Sequence, residues 1–228
     1  GLAKEDKFEI IATLREELHK KTKLEVLCEN SSVITQLENV DFERFVISWH
    51  EDIVPEKVQY FILHSESGIV KFSARFEQTP SAGAEVGLSY LIPDLIFFAQ
   101  QRQNQRFSFM KGYDFFCFGR YKNGENYSFK IKNISQGGCA LIVQDVNARF
   151  LYKDAVIKNA SLDFDTFGSL QLDLKVIDVV LINEFDEDNQ LYSCHQISCE
   201  FDFKNRREET EVEKIIIKFL MSNKIRSL

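Results

Sequence analysis

Proline is nearly absent from this 228-residue chain, with three in all, and glycine numbers only ten. That composition excludes the Pro- and Gly-rich tracts typical of disordered or low-complexity chains. An excess of positive charge is missing too. Twenty-eight Lys and Arg stand against 35 Asp and Glu, a formal net charge of -7, and the isoelectric point is about 5.3. A nucleic-acid polymer is usually gripped by a basic face, so no such partner is expected. A small anion remains within reach, because a few arginines can make a local positive site on an acidic protein.

Catalytic and metal signatures are also lacking. His19, His50, His64 and His195 are the four histidines, and they form no HxxxH or HExxH pattern. There is no GxSxG elbow or Gly-rich phosphate loop, and acid pairs such as Asp163 and Asp165 read as solvated faces. With no nucleophile–base constellation to assign, no catalytic residue, metal site or cofactor is expected. Cys28, Cys117, Cys139, Cys194 and Cys199 contain no CxxC pair and read as reduced thiols in or near a core. No apolar run approaches the roughly 20 residues of a membrane span. The start is charged and amphipathic, unlike a signal peptide, so a cytoplasmic protein is expected. Because the first residue is Gly rather than Met, the natural N-terminus is expected upstream.

Hydrophobic residues make up 44% of the chain, including 21 Phe, enough for real cores. Asp6 can cap a first helix with Phe8, Ile11, Leu14 and Leu18 at helical spacing. Lys20, Lys21 and Lys23 suit its C-terminus. Strand patterns follow. Phe45, Ile47 and Trp49 alternate, as do Val58, Tyr60 and Ile62, and then Val70, Phe72, Ala74 and Phe76. A loop with Pro80, Ala82 and Gly83 comes next. Pro93 breaks the following strand, and the polar run from Gln100 to Arg106 reads as a linker.

Strands resume at Phe107. Asn123-Gly124 is a tight-turn signal before the alternating Tyr127, Phe129 and Ile131. Leu170, Leu172, Leu174 and Val176 predict another strand, Glu184 to Asp188 a solvated hairpin tip, and Ile197, Cys199, Phe201 and Phe203 a last strand. Asn205 can cap a final helix with Val212, Ile215, Ile216, Phe219 and Leu220 on one stripe that packs on the barrel. The reading is mainly β in two domains, 1–98 and 99–228, with a linker or switch segment at about 93–107.

Two features could carry chemistry. Arg102 and Arg106 form an RxxxR pair. On an extended segment they share a side, roughly 13 Å apart, and arginine both forks onto phosphate oxygens and stacks on aromatic planes. Alone, the pair fits a solvated linker equally well. The second feature is Asn133-Ile134-Ser135-Gln136-Gly137-Gly138, where one strand turns into the next. Asn and Ser offer short polar groups to a ligand or to the turn itself. The glycines permit positive φ and close approach of another group. By itself this stretch is an ordinary β-turn.

Taken together, RxxxR followed by (D/N)xSxxG resembles the signature of the PilZ domain. Arg102, Arg106, Asn133, Ser135 and Gly138 fit its fixed positions, Asn standing where some members have Asp. The segment His195 to Phe201 and the closing helix also look like the end of such a domain, so the resemblance spans about residues 99 to 222. A β-rich unit ahead of it is similar to the flagellar-brake, YcgR-type arrangement.

The resemblance implies two small β-barrel domains, the second a six-stranded barrel with a C-terminal helix, plus an N-terminal helix. It also implies a receptor for cyclic di-GMP. Arg102 and Arg106 would hold phosphates and stack on guanine, Asn133 and Ser135 would fix the nucleotide, and Gly138 would shape the turn. Gln101 and Gly137 are secondary candidates. Gln101 replaces an arginine that some members use to bind a stacked ligand pair, which favours one ligand per protomer. The implied output is control of motility, biofilm or exopolysaccharide machinery through a protein partner such as a flagellar motor component. Recruitment to the flagellar basal body, as a monomer or homodimer, is part of that expectation. The alternative is a PilZ-like interaction module that works without ligand.

Overall fold

The computed structural model describes residues 2–77, 87–99, 107–109, 114–144, 151–186, 188–222 and 226–227. The chain divides into two compact units, Gly1–Gln103 and Asn104–Leu228. The predicted loop at Pro80, Ala82 and Gly83 lies outside the described residues.

The first unit holds β1 (Leu2–Lys4), α1 (Lys7–His19), β2 (Leu24–Leu27), β3 (Ser32–Thr35), β4 (Leu37–Val40), β5 (Arg44–Ser48), β6 (Val58–Ser65), β7 (Gly68–Glu77), β8 (Gly87–Leu91) and β9 (Ile96–Ala99). The strand path runs β3-β2-β6-β7-β8-β5-β4, with β9 pairing β7 and β1. Its two ends are successive pieces of one extended run interrupted only at Gln36, so the path returns to the segment where it began. The sheet thus curls into a small barrel-like unit, closed through the continuous β3–β4 segment rather than by a ladder between its end strands.

Inside it Phe45 stacks on Tyr90 at 5.4 Å and Phe61 on Phe72 at 5.2 Å, with edge contacts between the pairs. Such ring pairs contribute beyond their buried area. Val70, Phe72 and Ala74 face this core as their alternation predicts. Of the set Val58, Tyr60 and Ile62 expected on one face of β6, only Ile62 is buried. Gln59, Phe61 and Leu63 are fully buried, while Val58 is exposed and Tyr60 half-buried. Register explains the difference: Gln59, Phe61 and Leu63 lie directly opposite Ala74, Phe72 and Val70, and directly opposite residues share a face. Gln59 tolerates burial because its Nε2 donates to the Leu27 carbonyl at 3.0 Å and its Oε1 accepts from the Glu56 N–H at 3.1 Å.

Asp6 caps α1, accepting from the Glu9 N–H at 3.0 Å. The helix buries Ile10, Ile11, Leu14 and Glu17. Phe8 is exposed and Leu18 only half-buried. The face is rotated because Glu17 accepts from the Ser65 hydroxyl at 2.8 Å and also from Thr22. Trp49 falls just past the end of β5 and is exposed.

The second unit holds β10 (Phe107–Ser108), β11 (Phe116–Arg120), β12 (Asn126–Ile134), β13 (Gly138–Val143), β14 (Val156–Asp163), β15 (Ser169–Phe185), β16 (Leu191–Asp202), α2 (Arg206–Leu220) and β17 (Arg226–Ser227). Six strands close a ring in the order β11-β14-β15-β16-β13-β12, with β12 pairing back onto β11; β10 and β17 extend it from β12. Asn123-Gly124 makes the predicted turn, with Gly124 at φ 89°. The inward residues of the ring share one core with Val212, Ile215, Ile216 and Phe219 of α2. Phe219 meets Phe115, Phe164 and Phe167. The helix stripe thus packs on the barrel, as predicted. All five cysteines are buried and none forms a disulfide. Cys139 and Cys199 are opposite partners on β13 and β16. Their mutual hydrogen bond and burial push the Cys139 thiol well above its ordinary range, and burial pushes Cys117 up to about 12.

One buried charge ties helix to barrel. Asp173 on β15 is 2% exposed. It accepts from the Asn159 N–H at 2.8 Å and from Lys158 Nζ at 3.3 Å, with Lys204 Nζ at 3.6 Å. Asn159 sits at φ 51° in a bulge of β14. Lys204 immediately precedes the α2 cap, where Asn205 accepts from the Glu208 N–H and Glu208 accepts from the Lys204 N–H. Burial alone would raise the Asp173 pKa. The Asn159 N–H and the two lysines outweigh it and hold the carboxyl below its ordinary value. Its stabilisation is therefore present above the unfolded carboxylate pKa, about 3.9, and is lost as pH falls through the lower folded value. We expect Asp173→Asn to cost about 1–3 kcal/mol at pH 7. The gap to wild type should narrow at pH 3, as measured by urea unfolding at both pH values.

Candidate functional site

Along β12 the inward residues are Tyr127, Phe129 and Ile131. Strict alternation would send Asn133 inward next. The register instead shifts between Ile131 and Asn133: Ile131 lies opposite Leu141, while Asn133 lies opposite Ala140. Lys132 is the extra residue of a β-bulge, which resets the phase of the strand. Ile134 is consequently the inward residue, fully buried, and Lys132 and Asn133 are both half-exposed on the outer surface.

The next residues turn the chain. The Ser135 N–H donates to the Gly138 carbonyl at 2.8 Å, and its hydroxyl leans on the same oxygen at 3.4 Å. Gln136 and Gly137 form the tip, and the Gly137 carbonyl accepts from the Phe201 N–H at 2.9 Å. Neither Gly137 nor Gly138 adopts positive φ, so that sequence-based reason for glycine is not the one at work. Gly138 answers to close approach. A β-carbon there would overlap the Cys199 carbonyl oxygen and stand 3.2 Å from the Glu200 Cα. Gly138 lets β13 run tightly against β16, which sets where Asn133 and Ser135 stand.

Lys132 was not singled out from the sequence. Its Nζ donates to Glu184 Oε1 at 2.9 Å and Gln196 Oε1 at 3.0 Å. Its stem must cross β13 to reach them, since β13 lies between β12 and β16. In the sequence Lys130 and Lys132 simply alternate with Phe129 and Ile131, and nothing in that pattern marks a bulge. The outer surface here combines an amide, a hydroxyl and an ammonium group. These can donate to phosphate oxygens and pair with a base edge.

Arg102 and Arg106, and Gln101 beside them, lie outside the described residues. The first described residue after them is Phe107. Its partner on β12 is Ile134, and Ser108 pairs with Asn133. The strand that leaves the RxxxR segment therefore joins β12 at the residues of the second motif.

Residues 1–96 match a family model described as the MrkH-like, YcgR-like domain. Over 218 residues the chain is 25% identical to the flagellar brake protein YcgR of Serratia proteamaculans (strain 568), covering 95% of this chain and 92% of that protein. A solved structure described as MrkH, a novel c-di-GMP dependence transcription regulatory factor, is 38% identical. The match covers 97% of this chain and 94% of that one, with a TM-score of 0.50. The K. pneumonia MrkH-c-di-GMP complex is 39% identical over 96% of each chain, with a TM-score of 0.46.

The tight β13–β16 approach predicts the effect of adding one methyl group. Gly138→Ala should force the two strands apart and cost about 1–3 kcal/mol, the usual range for overpacking. Urea unfolding measures it, and a variant as stable as wild type would show that the strands yield without cost.

Proposed function

The chain belongs to the MrkH-like, YcgR-like family, and from that membership we propose that it is a receptor for cyclic di-GMP. Arg102 and Arg106 clamp the phosphates and stack on guanine. Asn133 and Ser135 hold the nucleotide from the outer face of the barrel, and Gly138 keeps the turn against β16. Gln101 borders the clamp, Gly137 forms the turn tip, and one ligand binds per protomer. The observation that supports this best is the register of β10 on β12: the two residues that follow RxxxR, Phe107 and Ser108, pair with Ile134 and Asn133 of the second motif. The energy scale is adequate. Each charged hydrogen bond contributes about 1.5–3 kcal/mol, and micromolar affinity needs about 8 kcal/mol.

Binding changes no covalent bond, so the protein acts as a switch rather than an enzyme. Ligand engages the linker, about 93–107, and the barrel turn at once, and the domains 1–98 and 99–228 take a new relation. The output is regulation of motility in the cytoplasm through a protein partner at the flagellar motor.

The relative at 38% identity, against 25% for the flagellar brake, favours a second reading in which the output is ligand-dependent transcription. The net charge of -7 weighs against broad contact with DNA, so this reading needs a locally basic face.

Calorimetric titration tests the receptor. Wild type should bind cyclic di-GMP saturably and ignore GMP. Arg102→Ala and Arg106→Ala should each weaken binding by one to two orders of magnitude, at about 1.4 kcal/mol per tenfold. Absence of heat with wild type would leave a ligand-independent interaction module. Fluorescence anisotropy of a labelled mixed-sequence duplex, with and without saturating cyclic di-GMP at low salt, separates the outputs. A motor-directed receptor leaves the duplex free in both states. Ligand-dependent, salt-sensitive binding would establish the transcriptional reading.

A further inference from the structure

The β15–β16 hairpin is longer than the barrel that contains it. β15 pairs with β14 only as far as Lys175, and β16 pairs with β13 only from His195 onward. Val176 still bonds the backbone of Asp154 and Ala155; beyond it and His195, among the described residues, the two strands pair only with each other, out to Phe185 opposite Leu191. The turn is closed by Asp186, which accepts from the Asp188 and Gln190 N–H groups.

The two faces of this ribbon differ. One face carries Ile182, Glu184, Tyr192 and Gln196, which are half-buried, Cys194, which is buried, and Val180, which is 44% exposed. Lys132 holds Glu184 and Gln196 there. The other face continues the barrel's inward register past its rim. It exposes Leu181 at 65%, Phe185 at 65% and Leu191 at 61%, with Ser193 bonded to Asn183 between them. Large apolar side chains grouped on an open ribbon face mark an interaction surface, and an aromatic beside aliphatic residues suits the centre of an interface.

Charge narrows the occupant. Residues 176–194 contain no Lys or Arg, and the sequence across the turn reads Asp186, Glu187, Asp188, while Glu184 is paired with Lys132 on the opposite face. An acidic rim repels nucleic acid and anionic lipid. It also repels a second copy of the same ribbon, since like charges across an interface are unfavourable. We propose that the distal β15–β16 ribbon is a docking surface for a protein partner that presents an apolar patch rimmed by Lys and Arg. Leu181, Phe185 and Leu191 enter the patch, and the acidic residues meet the rim. This goes beyond ligand binding and stands independently of it.

The test uses the full chain and three fluorescent synthetic peptides: alternating Lys and Leu, alternating Lys and Ser, and alternating Glu and Leu. Anisotropy should show salt-sensitive binding of the Lys–Leu peptide and little binding of the others. Phe185→Ser with Leu191→Ser, which keeps every charge, should weaken it at least tenfold. Asp188→Lys with Gln190→Lys, which leaves the Asp186 carboxylate in the turn, should do the same. These side chains are exposed, so thermal melting should match wild type; if either double variant fails to melt cooperatively, Leu181→Gln takes its place. Wild-type affinity in the variants, or equal binding of all three peptides, would overturn the proposal. So would a dimer seen by sedimentation that Phe185→Ser with Leu191→Ser abolishes, because the occupant would then be a second copy.

Discussion

A single extra residue in β12 organises the candidate site. In an uninterrupted strand every second residue faces the core, and Tyr127, Phe129 and Ile131 would be followed inward by Asn133. The bulge at Lys132 sends Ile134 inward instead and puts Lys132 and Asn133 side by side outside. An amide buried among the barrel's apolar residues would have cost unmet hydrogen bonds. The bulge avoids that cost and turns the same amide into a surface group. Gly138 completes the arrangement, because only a residue without a β-carbon lets β13 lie so close to the Cys199 carbonyl.

The rest of the second unit holds that geometry still. The closed ring gives each of the six strands two neighbours, so the register of β12 on β13 cannot slip without disturbing β11. α2 adds Val212, Ile215, Ile216 and Phe219 to the core of the ring, and Asp173 fastens its entry to the β14 bulge through Lys158, Asn159 and Lys204. Lys132 reaches from the bulge to Glu184 and Gln196. The outer face beside Asn133 is thereby linked to the base of the long hairpin, where the apolar ribbon face begins.

Much of the fold was legible in the sequence. The caps at Asp6 and Asn205, the turn at Asn123-Gly124 and the strands Val70–Ala74 and Leu170–Val176 follow from local patterns, because caps, tight turns and period-two alternation are short-range effects. The β6 strand was not. Val58, Tyr60 and Ile62 alternate as convincingly as Gln59, Phe61 and Leu63, and only the partner strand decides which set faces in. Likewise Phe8 and Leu18 looked like core positions of α1, until Glu17 took that side by bonding Ser65.

The sequence by itself determined the two motifs, their order along the chain and the residue types each offers, because these are matters of chemistry and spacing. It also determined that both units are built mainly of strands. What tertiary structure alone decided is how those residues are presented. The bulge at Lys132, the contact that demands Gly138, the reach of Lys132 across β13 and the overhang of the β15–β16 hairpin depend on which strands are neighbours and in what register. Pairing between strands distant in sequence leaves no local signature.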